Sequence, residues 1–78
     1  MKNQVERSLK ELMPGEEAKV IRVEAQGALK RRIMDMGLTR GTKVIFRKVA
    51  PLGDPIEITV RGYELSIRKD EAAHIIVE

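Results

Sequence analysis

The stretch that decides the fold runs from Ala50 to Lys69 and reads APLGDPIEITVRGYELSIRK. Within it, apolar residues occupy every second position on both sides of a short Arg61-Gly62 break. These apolar positions are Ile56, Ile58 and Val60 before the break and Tyr63, Leu65 and Ile67 after it. Alternation with a period of two is typical of strands with one buried face, and the glycine-containing break predicts a hairpin turn. Because an isolated hairpin is only marginally stable in water, further strands must cover its apolar face.

Length and composition restrict the class of protein. The 78 residues are enough for a single domain, 1–78, in which we treat residues 1–7 as a candidate disordered tail. The absence of cysteine excludes disulfides and thiolate metal sites, and it fits a reducing compartment. No apolar run approaches the ~20 residues that span a bilayer, and the N-terminus lacks the apolar stretch of a signal peptide. We therefore expect a cytoplasmic protein.

The net charge of +3 is distributed unevenly. Seven basic residues and a single acid, Asp35, lie between positions 30 and 48, which gives this segment a charge of +6. The basic residues are Lys30, Arg31, Arg32, Arg40, Lys43, Arg47 and Lys48. Such asymmetry predicts a basic patch that meets an acidic partner, lipid headgroups or nucleic acid. A solvated helix face that runs into a solvated strand explains the same pattern equally well.

The first half of the chain predicts a helical turn, a strand and a helix. Residues Ser8 to Glu11 fit a capping box with Ser8 as N-cap, which starts a turn with apolar Leu9, Leu12 and Met13. Pro14-Gly15 suits a type II turn. Residues Glu16 to Ala25 follow as a strand, with Ile21 and Val23 assigned to one face. From Gly27 to Met36 the period becomes helical, with Leu29, Ile33 and Met36 on one stripe, and Gly37 ends the helix before apolar Leu38.

The remaining segments complete a small barrel. Residues Thr42 to Val49 predict a second strand whose buried face the alternation does not assign, and a strand covered on both sides would explain that. After the hairpin, Asp70 is the predicted cap of a helical turn that ends at Ala73, and Ile75 to Val77 form a fifth strand. The predicted fold is mainly β: a five-stranded SH3-like barrel with one inserted short α-helix and short capping helical turns.

Three stretches of this sequence resemble the FeoA family. They are Leu12–Glu16 (LMPGE), Arg32–Thr42 (RIMDMGLTRGT), and Ala50–Pro55 (APLGDP) continuing through Val60–Gly62 (VRG). The likeness runs in order from about Ser8 to Val77. The resemblance implies an SH3-like barrel that serves as a small cytosolic accessory of FeoB, the bacterial ferrous iron transporter. FeoB is a membrane protein with a GTP-binding domain on its cytosolic side.

The residues themselves indicate neither catalysis nor a metal centre. There is one histidine, no G-x-x-x-x-G-K-[ST] phosphate loop, and no carboxylate with a visible partner for acid–base work. Glu71 to His74 spell E-x-x-H, but di-iron sites need two such copies on long helices together with further carboxylates. We therefore predict a non-enzymatic chain with no catalytic, cofactor-binding or metal-ligating residues and no tight binding of ferrous ion by the chain alone.

Docking onto a protein partner is the predicted activity. The candidate contact residues are the loop Pro51, Leu52, Gly53, Asp54 and Pro55 together with the basic helix residues Lys30, Arg31 and Arg32. Leu52 is an apolar residue at a stiff loop tip, suited to insertion into a partner pocket, although it could also fold back over the barrel end. The partner implied by the resemblance is the cytosolic region of a FeoB-type transporter, through which the chain would reach the membrane. Pairing of open barrel edges would allow an oligomer.

A small basic nucleic-acid-binding barrel is the alternative function. With only two aromatic residues, Phe46 and Tyr63, the chain lacks a platform for stacking bases, so binding would rest on phosphate contacts alone.

Overall fold

The computed structural model describes residues 6–78, and in this part of the chain it contains six strands, two α-helices and one 3-10 turn. The elements are β1 (Arg7–Ser8), the 3-10 turn (Leu9–Glu11), β2 (Glu17–Val23), α1 (Gly27–Asp35), β3 (Lys43–Val49), β4 (Ile56–Val60), β5 (Tyr63–Ile67), α2 (Lys69–Ala72) and β6 (Ile75–Val77). The candidate disordered tail falls mostly on residues 1–5, which lie outside the described residues, whereas Arg7 belongs to β1.

All strand pairs are antiparallel, and the strand order is β1-β6-β2-β3-β4-β5. The strand β2 belongs to both halves of the sheet, because Glu17 to Lys19 pair with β3 while Val20 to Val23 pair with β6. This sharing folds the sheet around one core, as the mainly β SH3-like prediction requires. The count of five strands was one too low. The additional strand, β1, has two residues, too few for any alternation to show in the sequence.

The predicted hairpin is confirmed. Val60 pairs with Tyr63 across a two-residue loop in which both Arg61 (φ 54°) and Gly62 (φ 84°) have positive φ, the conformation of a type I′ turn. The three apolar residues of β4 are buried, and so is Ile67 in β5. Tyr63 does not join them: its side chain is 71% exposed, because it lies at the end of the sheet beside the turn.

The core is aliphatic apart from one phenylalanine. Its fully buried large side chains are Phe46, Leu9, Ile33, Leu38, Ile56, Ile58, Ile67, Ile75, Val20, Val44, Val60 and Val77. From the first turn, Leu9 and Leu12 enter this core, whereas Met13 is 64% exposed.

Two β-bulges explain where the strand predictions fail. The pairing of β2 with β6 shifts between Val20 and Arg22. Ala18 and Val20 are therefore the buried residues of β2, and Val23 packs against the core while Ile21 does not. The assignment of Ile21 and Val23 to one face was wrong, because a bulge inserts one residue and moves the later residues of the strand to the opposite face.

The second bulge removes the ambiguity of β3. The pairing of β3 with β4 shifts between Phe46 and Lys48. Val44 and Phe46 are buried before the bulge, and Val49 packs against the core after it. The strand thus has one buried face, and the explanation by covering on both sides is wrong.

Helix α1 follows the predicted stripe. Ile33 is fully buried, and Leu29 and Met36 are partly buried against the core. The helix ends at Gly37, whose φ is +92° and whose N–H donates to the Met34 carbonyl at 2.9 Å. Leu38 then enters the core, so the glycine redirects the chain into the barrel.

Candidate functional site

The Pro51–Pro55 loop presents Leu52 to solvent. The Leu52 side chain is 96% exposed, so the alternative in which it folds back over the barrel end is wrong. The loop is closed by two backbone hydrogen bonds: the Gly53 N–H donates to the Ala50 carbonyl at 2.8 Å, and the Ala50 N–H donates to the Pro55 carbonyl at 3.0 Å. Leu52 is therefore displayed on an ordered loop.

Asp54 ties this loop to helix α2. Its Oδ1 atom accepts a hydrogen bond from the Lys69 backbone N–H at 3.0 Å. Glu71 Oε1 accepts another from the Arg68 N–H at 3.2 Å. The first N–H groups of a helix have no partner within the helix, so these two carboxylates satisfy them. The prediction that Asp70 caps this turn was wrong: Arg68 is at the N-cap position, and Asp70 is an exposed residue of the first turn.

Helix α2 also contacts α1. Arg32 Nη2 lies 2.9 Å from Glu71 Oε2, whose side chain is only 11% exposed. The same short helix thus joins the Leu52 loop through Lys69 and the inserted helix through Glu71. The connection is one that local sequence reasoning misses, because Asp54 and Lys69 are 15 residues apart.

The three basic residues predicted to act together on α1 face different surroundings. Arg32 is held by Glu71. Lys30 instead lines a groove beside β2 together with Met34 and Ile21. Arg31 is exposed. The structure therefore associates Arg32, but not Lys30, with the helix that supports the Leu52 loop.

The basic segment 30–48 does not form one continuous patch. Lys43 lies 3.4 Å from Glu17, and Arg32 pairs with Glu71. Arg47 and Lys48 line an open pocket of about 340 Å³ that also contains two carboxylates, those of Glu57 and Glu64. The positive charge is thus divided among separate surfaces, and Arg32, Lys43, Arg47 and Lys48 each lie near an acidic residue.

Glu71 and His74, the E-x-x-H pair, have separate partners. Glu71 binds Arg32 and the Arg68 N–H, whereas His74 Nδ1 lies 2.8 Å from the Glu24 carbonyl oxygen. Within residues 6–78, no group of three or more His, Asp or Glu side chains is arranged to hold a metal ion. Each of the two side chains is thus engaged by other protein groups and not by the other.

Two carboxylates with lowered pKa values, Glu11 and Glu16, have a structural role. Hydrogen bonds from the Ser8 N–H (3.0 Å) and hydroxyl (3.1 Å) lower the pKa of Glu11. The Met13 N–H, at 2.6 Å, is the main cause of the lowered pKa of Glu16. In their ionised form, both groups stabilise the loop region before β2.

Comparison with known proteins agrees with this architecture. Residues 7–78 match the FeoA domain family model. The structure of a FeoA-like protein from Clostridium acetobutylicum is 42% identical, with a TM-score of 0.90 over 97% of this chain and 88% of that one. A Stenotrophomonas maltophilia FeoA, a prokaryotic SH3 domain protein solved with zinc, is 28% identical, with a TM-score of 0.80 over 91% of this chain and 88% of that one.

A fusion protein provides the link to transport. Over 70 residues, 90% of this chain, the sequence is 39% identical to a Porphyromonas gingivalis protein that fuses Fe(2+) transport protein A to the Fe(2+) transporter FeoB. The chain spans 8% of the length of that curated relative. None of the helices within residues 6–78 is long and apolar enough to cross a membrane.

Fold and comparisons together define a small SH3-like domain of the kind associated with ferrous iron transport. The chain belongs to the FeoA family.

Proposed function

We propose that this chain is a non-enzymatic, cytoplasmic accessory of ferrous iron import that docks on the cytosolic region of a FeoB-type transporter. The fusion of the corresponding domain to FeoB in the Porphyromonas gingivalis relative supports association with such a transporter. The exposure of Leu52 on an ordered loop is the observation that carries the docking site.

Leu52 would act as the apolar anchor. Burial of a fully exposed leucine contributes about 1.5–3 kcal/mol of favourable transfer free energy. The loop is already held by its own hydrogen bonds and by Asp54, so docking requires little further ordering of this segment. An aliphatic pocket on the transporter is the complementary surface.

The neighbouring cations would orient the complex. The Lys69 ammonium lies beside the loop, since a Cβ atom on Gly53 would lie 3.5 Å from Lys69 Nζ. Arg32 pairs with Glu71 of α2, and Lys30 and Arg31 precede Arg32 in α1. Exposed charges at an interface act mainly on the association rate and on specificity, which favours an acidic rim around the partner's pocket.

Docking regulates transport only through a difference in affinity. If the transporter's cytosolic region alternates between nucleotide states, binding shifts their populations only when the contacts differ between the two states. The proposed site therefore predicts different affinities for the GTP-bound and GDP-bound forms wherever the docked chain has a regulatory effect.

A matched pair of variants tests the anchor. Leu52→Asp should weaken binding to the purified cytosolic region by about tenfold or more, the effect of losing a central apolar contact. Met13→Asp introduces the same charge at another exposed apolar side chain and should bind as the unmodified chain does. Equal affinities for the two variants, measured by calorimetry or biolayer interferometry, would exclude Leu52 as the anchor.

The nucleic-acid alternative receives less support. The cations of the 30–48 segment are divided among separate surfaces, and Tyr63 is the single aromatic side chain that reaches solvent, because Phe46 is 1% exposed. A gel shift at low salt tests it directly.

A further inference from the structure

A second surface, at the opposite end of β4 from the Leu52 loop, is built from cations. The Arg61-Gly62 hairpin turn and the Arg40-Gly41 turn face each other across an open depression of about 570 Å³. Its lining is Arg40, Gly41, Thr42, Lys43, Ile45, Thr59, Arg61 and Gly62. Within the described residues no Asp or Glu lines this depression, which we call the turn pocket.

Hydrogen bonds fix the position of the Arg61 guanidinium. Its Nη2 atom donates to Thr42 Oγ1 at 3.2 Å and to Thr39 Oγ1 at 3.4 Å. The two threonine hydroxyls lie 3.2 Å from each other. Because a guanidinium carries five N–H donors, the bonds through Nη2 leave donors available to a ligand.

The backbone at Arg61 is unusual for its residue type. Its φ of 54° lies in the left-handed region, and the first position of a type I′ turn strongly prefers Asn, Asp or Gly. An arginine there costs conformational free energy that an asparagine would largely avoid. Backbone strain of this kind is found preferentially at functional sites.

Arg40 and Lys43 add two more positive charges. Among residues 6–78 no carboxylate forms an ion pair with Arg40. Lys43 lies 3.4 Å from Glu17, but both side chains are more than half exposed, so the pair is weak and exchangeable. Three cations thus converge on the turn pocket with little local compensation.

We propose that the turn pocket binds the phosphate groups of anionic lipids at a membrane surface. This surface would act in addition to docking by Leu52 and independently of it. Arginine and lysine are the residues that bind phosphate oxygens, Arg through paired donors and Lys as a point charge.

The surroundings favour a lipid surface over other sources of phosphate. Ile45 lines the turn pocket, and the adjoining groove, which shares Arg40, contains Met34 and Ile21. Apolar side chains among cations suit the boundary between headgroups and acyl chains. A free phosphate ion would not fill so open a depression. The lack of an aromatic platform argues against single-stranded nucleic acid.

Vesicle co-sedimentation of the isolated chain tests the proposal without any transporter. The chain should bind vesicles of phosphatidylcholine with phosphatidylglycerol, should not bind phosphatidylcholine alone, and should dissociate as salt is added. The triple variant Arg40→Gln, Lys43→Gln, Arg61→Asn should lose about a hundredfold in partitioning, at about fivefold per cation. Arg40→Gln alone should lose about fivefold, and as an exposed single substitution it leaves the fold intact.

The control triple variant Lys10→Gln, Arg47→Gln, Lys48→Gln removes the same charge from other exposed positions and should bind nearly as the unmodified chain does. Equal losses in the two triple variants would show attraction by net charge alone and would overturn the proposal. So would the absence of selectivity for phosphatidylglycerol, release by millimolar inorganic phosphate at constant ionic strength, or tighter binding to duplex DNA than to vesicles.

Discussion

Removal of the Asp54 carboxylate should loosen the Leu52 loop and helix α2 together. Asp54 Oδ1 accepts the Lys69 N–H at 3.0 Å, and this bond joins the loop to the first turn of the helix. In Asp54→Ala the Lys69 N–H loses its acceptor, and the loop loses its attachment. Asp54→Asn keeps an oxygen acceptor and should retain most of the stabilisation that the Asp54 carboxylate provides. Asp70→Ala is the matched control, because Asp70 is an exposed acid of the same helix.

The expected loss of stability in Asp54→Ala follows from the role of Asp54 as a helix cap. Loss of an N-terminal side-chain acceptor typically lowers the free energy of unfolding by about 1 kcal/mol. A domain of this size has roughly 4–12 kcal/mol in total, so the loss is a measurable fraction. It corresponds to a decrease in Tm of about 4–8 °C. Asp70→Ala removes only a favourable charge near the helix start, about 0.3–1 kcal/mol at most.

Urea denaturation and amide hydrogen exchange measure these effects. We expect Asp54→Ala to have the lower midpoint, faster exchange of the Lys69 amide and weaker binding to the transporter's cytosolic region despite an intact Leu52. If Asp70→Ala were the more destabilising change, or if the Lys69 amide kept its protection in Asp54→Ala, the assignment of Asp54 as the cap would be refuted.

Three further predictions concern stability. Gly37→Ala should lower the free energy of unfolding by about 1–2 kcal/mol, because φ is +92° at this position; an unchanged urea midpoint would contradict this. Glu71→Ala should lower the free energy of unfolding by about 1–3 kcal/mol, because Glu71 is buried and also accepts the Arg68 N–H. Arg32→Ala should lower it by about 0–1 kcal/mol, because the Arg32 side chain is 66% exposed. A larger loss for Arg32→Ala in thermal melts would disprove this prediction. The lowered pKa of Glu11 means that its carboxylate stabilises the fold above the unfolded pKa of ~4.3, and that this stabilisation is lost as the pH falls through the folded pKa. Glu11→Gln should therefore have a lower free energy of unfolding than the unmodified chain at neutral pH. In acid the two free energies of unfolding should approach each other.

The parts of the fold that repeat a local pattern were predictable from sequence. The hairpin shows in the alternation from Ile56 to Ile67, and α1 shows in the stripe that contains Ile33. The bulges of β2 and β3 were not predictable, because the one residue that a bulge inserts does not have to be of any particular type. The same holds for β1, whose two residues gain their place only by pairing with β6.

A stiff loop was predictable from sequence, whereas the exposure of Leu52 and the contacts that hold the loop were not. The spacing of Pro51, Gly53 and Pro55 marks a stiff loop, and the structure shows Leu52 exposed there. Local capping rules select Asp70, whereas the carboxylate that binds the Lys69 N–H comes from 15 residues away. The sequence does not distinguish Arg32 from its basic neighbours Lys30 and Arg31. Its contact with Glu71 depends on how the two helices pack, which local patterns do not show.

Mapping of the docking surface by NMR tests the central claim most directly. The ¹⁵N-labelled chain would be titrated with the unlabelled cytosolic region of the FeoB-type transporter, and perturbed amides would be assigned. The account predicts the strongest changes at Leu52, Gly53 and Asp54, with smaller changes at Lys69 and along α1. Perturbations confined to the turn pocket or to the β3–β4 face, with the Leu52 loop unaffected at saturation, would contradict it.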